Sequence, residues 1–125
     1  MKKYKNFTSK EFDCPSLKGS GENMQEDFMD MLQDAREIAG CVFRITSGYR
    51  TQQYHDDLGR RGYKTAKNSA HLEGRAADIA CTDSVTRWLI VNSLLLAGFN
   101  RIGIASTFIH VDNSDTKKSN TIWTY

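Results

Sequence analysis

The sequence has no apolar stretch long enough to cross a membrane, since the most apolar part, Leu89 to Ala97, is interrupted by Asn92 and Ser93. Its first residues are positively charged, but no apolar segment follows them, so we expect no signal peptide. The formal net charge is only +2 and the basic residues are scattered. These absences argue against membrane insertion and against binding to nucleic acid.

Cysteine is also scarce. Three cysteines, Cys14, Cys41 and Cys81, form an odd set without a CxxC pair. This pattern fits reduced thiols and excludes a disulfide framework. The chain has no internal repeats or low-complexity tracts, and its 125 residues are the length of one domain with one hydrophobic core. We therefore expect residues 1–125 to form a single domain.

Hydrophobic periodicity predicts two long helices. The first spans 24–39 and is ended by Gly40. The second begins at Asp83 or Ser84 and is closed by Gly98. The main apolar face of the second helix is expected to consist of Val85, Trp88, Leu89, Asn92, Leu95 and Leu96.

Alternating and β-branched residues predict strands at 42–46, 76–80, 102–105, 108–112 and 121–125. A shorter helix is expected from Thr51 to about Leu58. Together these elements predict an α+β fold, in which a small, mainly antiparallel sheet is packed with two long helices.

The segment from Ser69 to Asp78 contains two good zinc ligands, His71 and Asp78. In one helix they would lie about 10 Å apart, and in one strand roughly 23 Å apart. Bonds of about 2 Å to one zinc ion are compatible with neither arrangement. A shared metal therefore requires the chain to double back between them, and Gly74 is the residue that could allow this.

A third ligand must come from one of the two other histidines in the sequence. His110 lies in a predicted strand, on the same face as Phe108 and Asp112. His55 lies in a polar, helical segment that we expect to be exposed, so His110 is the preferred ligand. Two histidines and one carboxylate leave a fourth zinc position free, which is the arrangement of a catalytic site.

The segment Ser69-x-His71-x-x-Gly74-x-Ala76-x-Asp78 resembles the SxHxxGxAxD motif of the zinc D,D-carboxypeptidases and endolysin peptidases of family M15. Two further blocks, 47–50 and 108–112, are similar to the family's SxYR segment and to the strand of its last histidine, and they occur in the same order. The similarity covers about 7–112 and is strongest to short, single-domain phage enzymes. It implies a D,D-peptidase-like, or hedgehog-like, fold.

The resemblance implies that His71, Asp78 and His110 bind Zn²⁺, and that Arg50 stabilises the developing oxyanion or holds the substrate. Ser69 would be a polar neighbour of the substrate carboxylate. The implied reaction is zinc-dependent hydrolysis of a peptidoglycan stem peptide, of the D,D-carboxypeptidase or the L-alanyl-D-glutamate endopeptidase type. We expect a monomer, made in the cytoplasm and acting at the bacterial cell wall, with a phage as one source of such a chain.

The general base is the point at which this sequence departs from the family. M15 peptidases usually have an acid three residues before the last histidine, and here that position is Thr107. Asp112 is the first candidate to replace it, either as the base or as an acceptor for a ligand imidazole. Glu73 is the second candidate. The missing acid leaves open an alternative function, a catalytically silent, zinc-stabilised module that binds the cell wall or belongs to a virion.

Overall fold

The computed structural model describes all residues from 1 to 125. Its helices are α1 (Glu26–Ala39), α2 (Gln52–Arg60) and α3 (Ser84–Leu96), and its strands are β1 (Ile45–Ser47), β2 (Ala76–Ala80), β3 (Arg101–Ile104), β4 (Phe108–Asp112) and β5 (Thr121–Thr124). Short 3₁₀ turns occupy Ser9–Phe12, Ser20–Asn23 and Ala70–Glu73. None of the helices combines the length and the apolar character needed to span a bilayer. The predicted α+β class is confirmed.

The five strands form one sheet in the order β1-β2-β4-β3-β5. All neighbouring pairs are antiparallel except β3 and β5, which are parallel. The mainly antiparallel sheet of the prediction is therefore confirmed, with one parallel edge. The first strand is shorter than predicted and shifted towards the C-terminus, because it pairs with β2 only from Ile45 onward.

One face of the sheet and the two long helices enclose the hydrophobic core. Residues of alternating positions on β2, β3 and β4 point to this side, among them Ile79, Ile102 and Val111, and all three are fully buried. Helix α1 contributes Phe28 and Leu32 to the same cluster. The opposite face of the sheet therefore remains available for polar side chains.

The predicted apolar face of α3 is wrong. The helix buries Ile90, Ser93 and Leu94 against the core, whereas Val85 and Trp88 are exposed together with Leu95 and Leu96. Apolar residues lie on nearly every side of this helix, so periodicity alone does not identify the side that faces the core. The packing of α1 against α3 determines which side of α3 is buried.

Candidate active site

The polar face of the sheet presents three neighbouring side-chain positions in one row. Asp78 of β2 pairs with His110 of β4, and His110 pairs with Gly103 of β3. Side chains at paired positions of neighbouring strands point to the same face and lie close together. The row therefore places the carboxylate of Asp78 beside the imidazole of His110, with His110 Nδ1 2.9 Å from Asp78 Oδ1.

A tight turn brings His71 to the same point. The Ser69 hydroxyl accepts a hydrogen bond from the backbone N–H of His71 at 3.2 Å and begins the 3₁₀ turn. Gly74 ends the turn in the left-handed region, at φ 72°. A Cβ atom there would lie 2.3 Å from the backbone oxygen of Asn23, so only glycine fits. The chain doubles back at the predicted position and continues as β2.

The donor atoms of His71, Asp78 and His110 all lie within 4.8 Å of one another. His71 Nε2 is 3.3 Å from Asp78 Oδ1. All three side chains are buried, yet they line a cleft of about 320 Å³ that opens to solvent. Two imidazole nitrogens and one carboxylate oxygen that converge in this way can hold one divalent cation.

Each imidazole is oriented by a hydrogen bond of the ring nitrogen that does not face Asp78. Nδ1 of His71 lies 2.7 Å from the backbone oxygen of Gly48 and donates to it, which leaves Nε2 to face Asp78. Nε2 of His110 lies 2.7 Å from Asp112 Oδ2, which leaves Nδ1 to face Asp78. Backbone carbonyls and carboxylates are the usual partners that orient metal-binding histidines. The residues present therefore fit a zinc ion.

Asp112 is held from several sides at once. Its Oδ1 accepts hydrogen bonds from Arg101 Nε at 2.7 Å and from the backbone N–H of Ser114 at 3.2 Å. Its side chain is only 1% exposed. Both carboxylate oxygens are thus occupied by protein donors, with His110 on the other oxygen.

Arg50 places its guanidinium at the rim of the same cluster. Its Nη2 is 3.7 Å from Asp78 Oδ2, and its Nε donates to Ser47 Oγ at 3.3 Å. The backbone N–H of Arg50 donates to the carbonyl oxygen of His71 at 3.1 Å. The loop after β1 is therefore tied directly to the turn that contains His71.

The charges of the cluster differ from those of isolated side chains. Burial lowers the pKa of His71 and outweighs the attraction of Asp78. Burial acts in the same direction on His110, but hydrogen bonds to Asp112 and Asp78 outweigh it and raise its pKa. Burial would raise the pKa of Asp78, yet the two imidazoles hold it well below its ordinary value. Asp78 is therefore an ionised carboxylate, the form in which it binds a cation.

Comparison with protein families agrees with this geometry, because the family model Peptidase M15 matches residues 5–112. The chain belongs to peptidase family M15. The resemblance found in the sequence is therefore confirmed over nearly the same residues.

Among solved structures, this M15 peptidase is similar to the crystal structure of the L-Ala D-Glu endopeptidase ChiX of Serratia marcescens. The TM-score is 0.62, the sequence identity is 15%, and the match covers 74% of this chain and 82% of that chain. At this identity the likeness demonstrates a shared fold. The comparison with curated protein sequences gave no match.

The structure also places the remaining candidates of this M15 peptidase. Thr107 is exposed in the connection between β3 and β4 and does not line the cleft. Glu73 does not line it either, and its carboxylate accepts a hydrogen bond from Ser114 Oγ at 3.2 Å. Asp78 and Asp112 are the only acids among the residues that line the cleft.

The predicted exposure of His55 is wrong. His55 is 4% exposed, and its Nε2 lies 2.7 Å from the backbone oxygen of Ala66. The loop that follows α2 folds back over this imidazole, and Lys64 and Thr65 of that loop line the cleft. A polar helical segment indicates exposure only when no loop covers it, and the sequence does not show where this loop runs.

Several cleft residues were not identified from the sequence, among them Lys64, Arg101, Lys117 and Trp123. Tyr125 also lines the cleft, and its ring packs against Phe108 with 5.3 Å between ring centroids. The alternation of Thr121, Trp123 and Tyr125 in the last predicted strand was the available signal. It indicates a shared face, but not that β5 lies beside β3 with this face towards His110.

Proposed function

We propose that this chain is a zinc-dependent peptidase that hydrolyses the stem peptides of peptidoglycan. The convergence of His71, Asp78 and His110 in an open cleft supports this proposal more than any other observation. Membership of family M15 and the fold shared with an L-Ala D-Glu endopeptidase support the choice of substrate. Zinc bound by these residues would supply a Lewis acid for the scissile carbonyl and would lower the pKa of a bound water molecule.

The protein groups around the cluster have separate roles in this proposal. Arg50 presents a cation where negative charge develops on the carbonyl oxygen, and a preorganised charge of this kind stabilises the transition state. Ser69 holds the ligand turn in place through the backbone of His71 and lines the cleft in which the substrate would lie. Asp112 orients His110, because both of its oxygens are already engaged by protein donors.

The shape of the cleft favours an endopeptidase over a D,D-carboxypeptidase. A second cleft of about 400 Å³ adjoins the first and shares Arg50, Asp78 and Phe108 with it. The combined groove thus continues past the cluster, and a peptide lying in it can extend on both sides of the bond to be cut. Lys64 borders both clefts and suits the free carboxylate of a D-glutamate residue.

The test uses a synthetic stem pentapeptide, L-Ala–D-Glu–L-Lys–D-Ala–D-Ala, incubated with the zinc-loaded protein. An endopeptidase releases L-alanine, whereas a D,D-carboxypeptidase releases D-alanine, and chiral amino-acid analysis separates the two. We expect release of L-alanine that is abolished by a chelator, by His110→Ala and by Asp78→Asn. Asp34→Asn is the matched control, because Asp34 is exposed on α1 and away from the cleft.

The silent zinc-stabilised module is the second candidate, and two observations favour it. No acid occupies position 107, and the acids of the cleft are both engaged with histidines. Tight binding of cell-wall fragments by the zinc-loaded protein, without release of either alanine from the pentapeptide or from the fragments, would replace the peptidase proposal with this one.

A further inference from the structure

The last strand of the sheet lies outside the residues matched by the family model, which end at Asp112. Strand β5 pairs in parallel with β3, with Gly103 opposite Trp123. Because Gly103 also pairs with His110, the row of the candidate site continues from Asp78 through His110 and Gly103 to Trp123. The edge strand therefore adds an indole to the same row as the proposed ligands.

Trp123 reaches His110 because Gly103 has no side chain. The centroids of the indole and the imidazole are 5.6 Å apart, with the ring planes inclined by 49°. A Cβ atom at Gly103 would lie 2.7 Å from the indole Nε1, which is closer than non-bonded atoms approach. The absence of a side chain on β3 thus makes room for the aromatic contact across the strand.

Arg101 connects Trp123 to Asp112, which is hydrogen-bonded to His110. Its guanidinium lies over the indole, 4.9 Å from the ring centroid, and its Nε donates to Asp112 Oδ1. Its Nη1 donates to the hydroxyl of Thr121 at the start of β5. The imidazole of His110 is therefore hydrogen-bonded to Asp112 through one nitrogen, and its ring packs against Trp123. Arg101 contacts both Asp112 and Trp123.

We propose that Trp123 is a positioning residue, which holds His110 in the rotamer that presents Nδ1 to the metal and shields the bond between His110 and Asp112 from water. This inference rests on the proposed zinc site. Groups that orient a metal ligand without touching the metal change affinity by about 10-fold to 100-fold when they are removed. Exclusion of water strengthens a hydrogen bond.

The first test uses fluorescence. The chain has two tryptophans, Trp88 and Trp123. In Trp88→Phe, which leaves Trp123 as the only emitter, we expect Co²⁺ to quench most of the emission as the site fills. In Trp123→Phe, which leaves the exposed Trp88 on α3, we expect Co²⁺ at the same concentrations to leave the emission nearly unchanged.

The second test measures zinc affinity by competition with a chromogenic chelator, well below the unfolding temperature of each variant. We expect Trp123→Ala to weaken zinc binding by about 10-fold to 100-fold, as for other orienting groups. Trp123→Phe keeps an aromatic ring beside His110 and should restore the affinity to within about threefold of wild type on the same scale.

Gly103→Ala tests whether the missing side chain at Gly103 makes room for Trp123. We expect this substitution to weaken zinc binding when Trp123 is present and to have little further effect in the Trp123→Ala background, since neighbouring residues that act together are not additive. Equal losses in both backgrounds would show that Gly103 acts without Trp123 and would contradict the proposed contact.

Failure of the proposed zinc site and failure of the proposed role of Trp123 give different results. Absence of zinc binding by the wild-type chain, seen in equilibrium dialysis, would overturn the proposed zinc site. Normal zinc binding together with unquenched Trp123, or with wild-type affinity in Trp123→Ala, would overturn the positioning role alone. A Trp123→Ala variant that is less stable but binds zinc normally has merely lost packing, which also contradicts the proposal.

Discussion

At the scale of single residues, Asp112 shows how neighbours determine the role of a carboxylate. The sequence placed it on the same strand face as His110 and left two roles open, general base or acceptor for the imidazole. The structure surrounds it with Arg101, His110 and the backbone N–H of Ser114. A general base must accept a proton from water in the cleft, and an oxygen that already accepts strong hydrogen bonds is poorly suited to this task.

Asp112→Asn separates the two roles. If Asp112 orients His110, the amide is a weaker acceptor, and we expect zinc affinity to fall by about 10-fold to 100-fold. The change also weakens a buried contact with Arg101 and should lower the free energy of unfolding by about 1–3 kcal/mol. Zinc affinity by chelator competition and urea unfolding measure these effects, with the exposed Asp115→Asn as control. Unchanged zinc affinity with lost turnover would identify Asp112 as the base instead.

At the scale of elements, the ligand turn depends on a glycine in two ways. Gly74 has a positive φ, and a Cβ atom at this position would also collide with the backbone of Asn23, which lies just before α1. Gly40 has a similar φ of 66° at the end of α1, but a Cβ atom there would meet nothing within 4 Å. The two glycines therefore share the same backbone conformation, but only at Gly74 would a side chain meet neighbouring atoms.

Replacing each glycine by alanine measures these two effects separately. The left-handed conformation alone costs a residue with a Cβ about 1–2 kcal/mol, and we expect Gly40→Ala to lose about this much. Gly74→Ala must also displace backbone atoms, which adds about 1–3 kcal/mol. Urea unfolding at constant m-value gives both losses. Equal losses for the two variants would show that the contact with Asn23 relaxes without cost.

The elements also show what the sequence could predict. The turn at Gly74 and the strand of His110 followed from local residue types, because each needs only a glycine or an alternating pattern. The buried face of α3 did not follow, since that helix is apolar on most sides and its packing partner α1 makes the choice. The position of Trp123 depends on the parallel pairing of β5 with β3, and the burial of His55 depends on the path of the loop after α2. Neither of these can be predicted from the local sequence.

At the scale of the whole molecule, the sheet separates two environments. Its helix-covered face belongs to the core, and its other face presents the polar row of the site. The three proposed ligands come from the 3₁₀ turn, β2 and β4, so the site exists only when these elements are assembled. An unfolded chain has no such site, and metal binding is therefore linked to folding.

Zinc should consequently stabilise the fold as a whole. At a free zinc concentration of about 100 times the dissociation constant, binding to the folded chain alone adds about 2.7 kcal/mol to the free energy of unfolding. Urea unfolding with zinc and with a chelator measures this increment, which we expect to disappear in His110→Ala and to persist in Asp34→Asn. The free thiols of Cys14, Cys41 and Cys81 can bind zinc in the unfolded chain and reduce the increment. An increment that survives in His110→Ala would mean that zinc stabilises this protein through other residues.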